Sequence, residues 1–454
     1  MDRDTISQLC KLLDDGQQAY LLGNNDKARG AYDKALSLAK VAGVQQGEAN
    51  ALCGLGDLEN RLGYNDEARD AYAKALSLFK AINDRLGEAN ALCGLGELES
   101  RLGHNNEARS ALCRSATLYA AVGDSLGEAN VYRILGDLEK NIGRYEDSRD
   151  AYDKALALFK EMGEVLGEAS VLRGVGDLEY NWGHNDEAHS AYSNAAILFK
   201  DVGDRLGEAN VFLGLGNLER KLGRNDESRS AYEKAIPLFR LIGDRLGEAN
   251  AFCGLGHIEN FLNNDNEART AYDWAMTLFK VEKNPLGEAN VLRGLGVLES
   301  RLGRNSEARN SFERALELYN KIGNSLGVAN AFLGLGNLEN DCGCSKKATK
   351  YFDDAAIEYD RVGMKEEQKY AKLLSINAKK NCNNFFKLFM IARYFKEWSR
   401  GEKMAAMAVL IAIIAIFTGI FQPDIREKFL GHTASATEAS ALKPSPQAPL
   451  ADKK

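Results

Sequence analysis

Five histidines and eight cysteines are the side chains in this 454-residue sequence that could serve as bases, nucleophiles or soft metal ligands. The histidines (His104, His184, His189, His257 and His432) show neither the His-Glu-x-x-His spacing of a zinc protease nor a partnered nucleophile. The cysteines stand at 10, 53, 93, 113, 253, 342, 344 and 382. The pair Cys342 and Cys344 lacks two further ligands at the spacing a structural metal wants. Triplets such as Gly54-Leu55-Gly56 recur, but a phosphate cradle needs a strand before it and a helix after it, and these triplets lie inside helical pattern. No catalytic centre, metal or cofactor is therefore expected. The chemistry that remains is recognition, carried by asparagine amides that both donate and accept and by arginines and carboxylates that change along the chain.

These residues are positioned by a repeat. The phrase Leu-Gly-Glu-Ala-Asn recurs at 86–90, 126–130, 206–210, 246–250 and 286–290, with one-residue variants at 166–170 and 326–330. The period is 40 residues without insertion or deletion, and it defines nine units from about residue 9 to about residue 362, starting near 9, 49, 89, 129, 169, 209, 249, 289 and 329. Within one unit, Ala89, Leu92, Leu95, Leu98 and Leu102 mark one amphipathic helix, and Ala108, Leu112, Ser115 and Leu118 mark a second. Gly103-His104-Asn105 separates them, with Asn105 or Asn106 as a candidate cap. Gly123 supplies a left-handed stop and Asp124 a cap for the next unit. Two helices cannot enclose a core alone, so each unit must lean on its neighbours.

Two registers carry constant residues that need a reason. Glycine stands at 16, 56, 96, 136, 176, 216, 256, 296 and 336. Each costs roughly 1 kcal/mol against alanine inside a helix, and close helix-to-helix approach is the simplest offset. Glutamate at 59, 99, 139, 179, 219, 259, 299 and 339 recurs with an arginine ten residues on at 69, 109, 149, 229, 269 and 309. This pattern suggests an ion pair joining the two helices of one unit.

Leu55-Gly56, followed by Ala68-x-x-x-Tyr72 and Ala75, resembles the tetratricopeptide-repeat signature. The aromatic register continues through Tyr32, Tyr152, Tyr192, Tyr232, Tyr272, Phe312 and Phe352, with Leu112 the exception, and the residue three positions later is always Ala or Ser. The resemblance covers about 350 residues. It departs from the usual pattern in two ways. The unit is 40 residues rather than 34, similar to the long-repeat subgroup of Pins-type polarity adaptors, and a glutamate replaces the aromatic usual at the eleventh position. A GoLoco-type motif is not evident, so that subgroup's partners do not carry over.

The resemblance implies an all-α, right-handed superhelical solenoid of about nine helix pairs, whose first helices line a concave groove through their second, fifth and ninth positions. The second position is Asn50, Asn90, Asn130, Asn210, Asn250, Asn290 and Asn330, with Ser170 the exception. Such a row could hold the main chain of an extended peptide, or could bond between neighbouring helices. The fifth position includes Arg133, Arg173 and Arg293; the ninth includes Asp57, Glu97, Asp137, Asp177 and His257, with Leu213, Leu333 and Val297 breaking the polar run. Variation on a fixed frame suits a reader of specific side chains and equally suits unconstrained solvent positions. Gly54, Gly94, Gly174 and Gly214 occupy the place of a key polar residue of the chaperone-docking clamp, which argues against that mode.

The net charge of −7 conceals an asymmetry. Residues 361–403 carry 11 Lys/Arg against 4 Asp/Glu and residues 422–454 carry 5 against 4, leaving −15 for the first 360. An acidic body argues against nucleic acid and allows basic proteins or peptides as partners. Residues 363–403 are expected to form a solvating segment and then a basic amphipathic neck helix, with Arg393, Lys396, Trp398, Arg400 and Lys403 at a membrane interface. Met404 to Phe421 is an uncharged run of 18 residues, about 27 Å as a helix, enough for one C-terminal transmembrane helix; a buried cap helix is the alternative. The excess of Lys/Arg before it places the repeats in the cytoplasm and the disordered tail, residues 422–454, on the far side. Residues 1–10 show no apolar leader, and a reducing compartment suits the cysteines. Ala408, Ala412, Ala415 and Gly419 share one face that could pack a homodimer or be filler.

The sequence thus points to a repeat domain over residues 1–362, a neck over 363–403, a membrane helix over 404–421 and a tail. The expected function is a membrane-anchored protein–protein interaction scaffold that takes peptide or helical segments of partners in its groove. The alternative is a peptide-responsive sensor coupling the repeats to the membrane helix.

Overall fold

The computed structural model describes residues 3–394. Regular structure among them is entirely α-helical: nineteen helices joined by turns of two or three residues. They are α1 (Arg3–Leu21), α2 (Asn25–Ala42), α3 (Gln45–Leu62), α4 (Asn65–Ala81), α5 (Arg85–Arg101), α6 (Asn105–Val122), α7 (Ser125–Asn141), α8 (Tyr145–Met162), α9 (Val165–Trp182) and α10 (Asn185–Val202). The rest are α11 (Arg205–Lys221), α12 (Asn225–Ile242), α13 (Arg245–Phe261), α14 (Asp265–Val281), α15 (Pro285–Arg301), α16 (Asn305–Lys321), α17 (Ser325–Asp341), α18 (Ser345–Arg361) and α19 (Lys365–Tyr394). They form two compact units, Met1–Gly294 and Leu295–Lys454, with the division inside α15.

The turns obey local chemistry. Gly123 adopts φ 77°, and the chain closes with Asp124 N–H donating to the Tyr119 carbonyl at 3.0 Å, the left-handed stop that ends a helix without straining a Cβ. The Asp124 carboxylate then accepts from the Gly127 N–H at 2.9 Å, capping α7. Asp84, Asp204, Asp244, Asn284 and Asn324 cap their helices in the same way. At the other turn of the unit the expected cap is absent: α6 begins at Asn105 after His104, and no side chain caps it.

In the first unit, α1 packs on α2, α3 on α4 and so on to α13 on α14, and the even-numbered helices α2 through α12 also pack on the next odd one. Odd-numbered helices touch the next odd-numbered helix from α1 through α13, whereas successive even-numbered helices make no comparable contact. The odd helices therefore form the tighter, inner layer.

The constant glycines seat aromatic rings. A Cβ on Gly16 would stand 2.6 Å from the Tyr32 ring, and one on Gly54, in the next odd helix, 2.5 Å from the same ring. Gly56 and Gly94 flank Tyr72, Gly136 and Gly174 flank Tyr152, and Gly216 and Gly254 flank Tyr232 in the same way. A third glycine register, Gly87, Gly127, Gly167, Gly207 and Gly247, receives Phe79, Tyr119, Phe159, Phe199 and Phe239. The offset for the helix glycines is thus a ring lying on the backbone rather than bare helix-to-helix approach. Burying one such ring removes about 150–250 Å2 from water, worth roughly 4–6 kcal/mol gross, against ~1 kcal/mol for each glycine. The ring term wins.

The glutamate–arginine expectation is corrected. Arg69, Arg109, Arg149, Arg229 and Arg309 each reach the glutamate of the following repeat, 30 residues on. Arg69 Nε donates to Glu99 at 2.6 Å, Arg109 Nε to Glu139 at 2.5 Å and Arg229 Nε to Glu259 at 2.6 Å, and Arg149 bonds Glu179. The glutamates are buried, and a turn residue adds a second partner, such as His104 Nδ1 at 2.6 Å from Glu99. The Arg69 hydrogen bonds, opposed by burial and aided by His104, hold Glu99 below the usual carboxylate range. These pairs tie one unit to the next rather than bracing one from within.

The second unit repeats the theme. Gly296 and Gly334 flank Phe312, Gly336 lies against Phe352, and Arg309 donates to Glu339 at 2.6 Å. Helix α19 covers its end: Ala371, Ser375 and Ala378 are buried, and Leu374 packs on Phe352. Among the described residues no helix is long and apolar enough to cross a membrane. Met404 to Phe421, with Lys396, Trp398, Arg400 and Lys403, lies outside the described residues, while the backbone of Arg393 belongs to α19.

Candidate partner-binding face

A strip of the inner helices runs through the second, fifth, ninth and twelfth positions of the repeats, mostly exposed or half-buried, with Cys253 and Asn260 buried. Four asparagines of the row divide between two roles. Asn90 accepts from the Tyr119 hydroxyl, and Asn330 accepts from Tyr359 at 2.8 Å, each tying an odd helix to the even helix of its pair. Asn130 and Asn210 donate to the carbonyls of Leu126 and Leu206 in their own helices, both at 3.0 Å. Asn50 and Asn250 are exposed, and Asn290 is half-buried and also bonded. The row is not a uniform ladder of free amides. Where the even helix offers a tyrosine, as at 119 and 359, the asparagine serves the helix pair.

The ninth position follows a rule that single positions hide. The hydroxyls of Tyr72, Tyr152 and Tyr192 donate to Asp57, Asp137 and Asp177, each at 2.6 Å. Tyr32 donates to Gln17 at 3.0 Å, Tyr232 to Asn217 at 2.8 Å, and Tyr272 meets His257 Nδ1 at 2.8 Å. Burial, with Arg293 and Arg220 nearby, pushes His257 down to about 3, so the ring is neutral and shares a hydrogen bond with the Tyr272 hydroxyl through Nδ1. Where the tyrosine is replaced, at Leu112, Phe312 and Phe352, the ninth residue is Glu97, Val297 or Asn337, and all three are exposed. A buried hydroxyl needs an acceptor, and that need sets the ninth residue in six units.

The fifth position separates the first unit into zones. In α7 and α9, Arg133 Nη1 lies 3.4 Å from Asp137 and Arg173 Nη1 lies 3.2 Å from Asp177. Lys140 bridges them, 3.1 Å from Asp137 and 3.8 Å from Asp177. A cavity of about 300 Å3 opens beside this cluster, lined by Lys140, Asp177, Tyr180, Asn181, Tyr192, Gly214 and Asn217. In α3 and α5 the fifth residue is Cys53 or Cys93, so neither Asp57 nor Glu97 has a cation on its own helix at that position, and Glu97 feels the charge of Arg133 from α7. Arg293 lies in α15, beyond the zones just described, and bears on His257.

Models of the tetratricopeptide repeat match residues 16–81, 47–121 and 207–280, and a related model of the same repeat matches 289–322. Those residues carry tetratricopeptide repeats. No curated protein matches it in sequence. Among solved structures, aspartyl phosphate phosphatase F from Bacillus subtilis is similar with a TM-score of 0.55 at 11% identity, over 77% of this chain and 93% of that one. A Rap protein complexed with competence and sporulation factor gives 0.52 at 13%, over 83% and 99%. The apo quorum sensor NprR from B. thuringiensis gives 0.52 at 14%, over 82% and 99%. The likeness is one of fold. The repeat signature accounts for the aromatic and small-residue registers; the Glu–Arg ties and the tyrosine–acceptor rule emerge only in three dimensions.

Proposed function

We propose that this protein is an interaction scaffold that takes segments of partner proteins along the inner face of its tetratricopeptide repeats, and that residues 404–421 hold it to a membrane. The observation that carries the reading is the fifth position. On a frame of constant period, it runs Cys53, Cys93, Arg133, Arg173, Leu213 and Cys253 along α3 to α13, giving successive stretches of one strip different chemistry. The fold likeness to a Rap protein complexed with competence and sporulation factor supports a binding role. Kinship with Pins-type adaptors rests on repeat length alone. The reading is of a binder rather than an enzyme: His104 and His184 are engaged with buried glutamates, and His257 is held neutral.

A photo-crosslinking residue placed at Asn50, Ser100 or Arg173 in the full chain is expected to capture partner protein from its native membrane, and one at Asp150 or Lys154 on an even helix to capture none. Equal capture from both faces would remove the groove reading. Alkaline carbonate extraction is expected to leave the full chain in the membrane pellet; release into the supernatant would remove the anchor. The fold likeness to a quorum sensor favours the second reading, a peptide-responsive sensor. That reading requires hydrogen exchange in α19 to change when a partner segment binds.

A further inference from the structure

We propose that Asp57 and Glu97, on the adjacent inner helices α3 and α5, hold a guanidinium or ammonium group of a basic segment in a partner protein. This deepens the groove reading and rests on it. The chain shows what the register binds when it can satisfy itself. Asp137 accepts from a tyrosine and stands against two cations, Arg133 at the fifth position and Lys140 at the twelfth. Asp177 has a tyrosine, Arg173 and the same Lys140.

In α3 and α5 both cation positions hold neutral residues. Cys53 and Asn60 flank Asp57, and Cys93 and Ser100 flank Glu97. Asp57 keeps only its tyrosine, at 2.6 Å. Glu97 has lost even that, because Leu112 replaces the ring. Arg61 bonds the Tyr20 carbonyl and Asn25, and Arg101 bonds Asn60 and Asn65; Arg133 pairs with Asp137, and its charge partly offsets the rise that burial gives the Glu97 carboxyl. Burial and the charge of Glu97 push Asp57 up to about 6, the mark of a carboxylate whose compensating charge is missing. Asp57 without a cation and Glu97 with only the charge of Arg133, which Asp137 shares, beside two carboxylates that are fully paired, favour a basic group over any acidic or neutral one.

The test is a selection of the full chain in detergent against a random ten-residue peptide library displayed on phage. Recovered peptides are expected to carry Arg or Lys at one fixed position. Cys53→Arg with Cys93→Arg, which copies α7 and α9, is expected to weaken their binding at least tenfold. Asp57→Asn with Glu97→Gln should do the same, and the Asn217–Tyr232 pair already shows that asparagine fits the register. Recovered peptides without a basic preference, bound equally by both variants, would overturn the proposal and leave the groove reading intact. Recovery of no peptide at all would remove the groove reading and this one with it.

Discussion

The helix pairs α3–α4 and α5–α6 are neighbours with one repeat pattern, and they solve the same packing problem differently. In the first, Tyr72 lies between Gly56 and Gly94 and needs Asp57 for its hydroxyl. In the second, Leu112 lies against Gly96, and the place of the next glycine is taken by Ile134, which packs in the same cluster. The ninth residue, Glu97, is then released to solvent. Three positions on three helices change together. Variation that looks free at each site is one substitution of ring plus receiver for leucine plus isoleucine, and it alters the inner face as a by-product.

Exchanging the two solutions gives the largest expected effect. Gly94→Ile in the wild-type chain drives a branched side chain into Tyr72, and we expect a loss of about 3 kcal/mol. Adding Tyr72→Leu should restore most of it, a coupling readable in urea unfolding and in hydrogen exchange of α3 to α6. The reverse change, Ile134→Gly, empties the space beside Leu112 at a cost of roughly 2–3 kcal/mol. If Gly94→Ile were as costly in the Tyr72→Leu background as beside the tyrosine, the linkage drawn between the two pairs would be broken.

A smaller effect sharpens the seam between them. Arg109 and Glu139 should couple by about 1–2 kcal/mol in a double-mutant cycle, because the glutamate is buried while the arginine is partly screened. Arg149 and Glu139, the pair expected from sequence, should show none. Coupling of the latter pair alone would contradict the thirty-residue connection.

The smallest effect concerns Asp57. Its folded-state pKa, raised from 3.8 to about 6, means the folded protein binds the proton more tightly than the unfolded chain. The stability associated with the protonated group is full below about pH 4 and is lost as pH rises to 6. Asp57→Asn should therefore stabilise the protein by roughly 1 kcal/mol at pH 7 and by nothing at pH 4, measured as the shift in unfolding midpoint. A gain independent of pH would show that the aspartate is not strained by its charge. Glu97, freed of its tyrosine, should give the lesser response.

The repeat period, the helix pairs and their turns were legible because each rests on local chemistry, as at Gly123 and Asp124. The partner of Arg69 was not. In a forty-residue repeat, ten residues after Glu59 and thirty before Glu99 are the same register, so no pattern in one sequence can choose between them. The seat of the glycines was half legible, since a missing Cβ announces close approach without saying what arrives. The inner face was hardest. Cys53 and Arg133 share a register, and only the pairing of Arg133 with Asp137 shows what cysteine leaves undone.

The thirty-residue span of the Arg–Glu ties has an implication for how such an array can grow or shrink. Removing one whole period, residues 125–164, would bring Arg109 to Glu179 with the ion pair conserved. It would also bring Leu112 to Gly174, a small residue facing a receiver shaped for a ring. Most joints in this chain are therefore interchangeable couplings, and the joint at Leu112 and Ile134 is keyed, fixing which neighbours may follow one another.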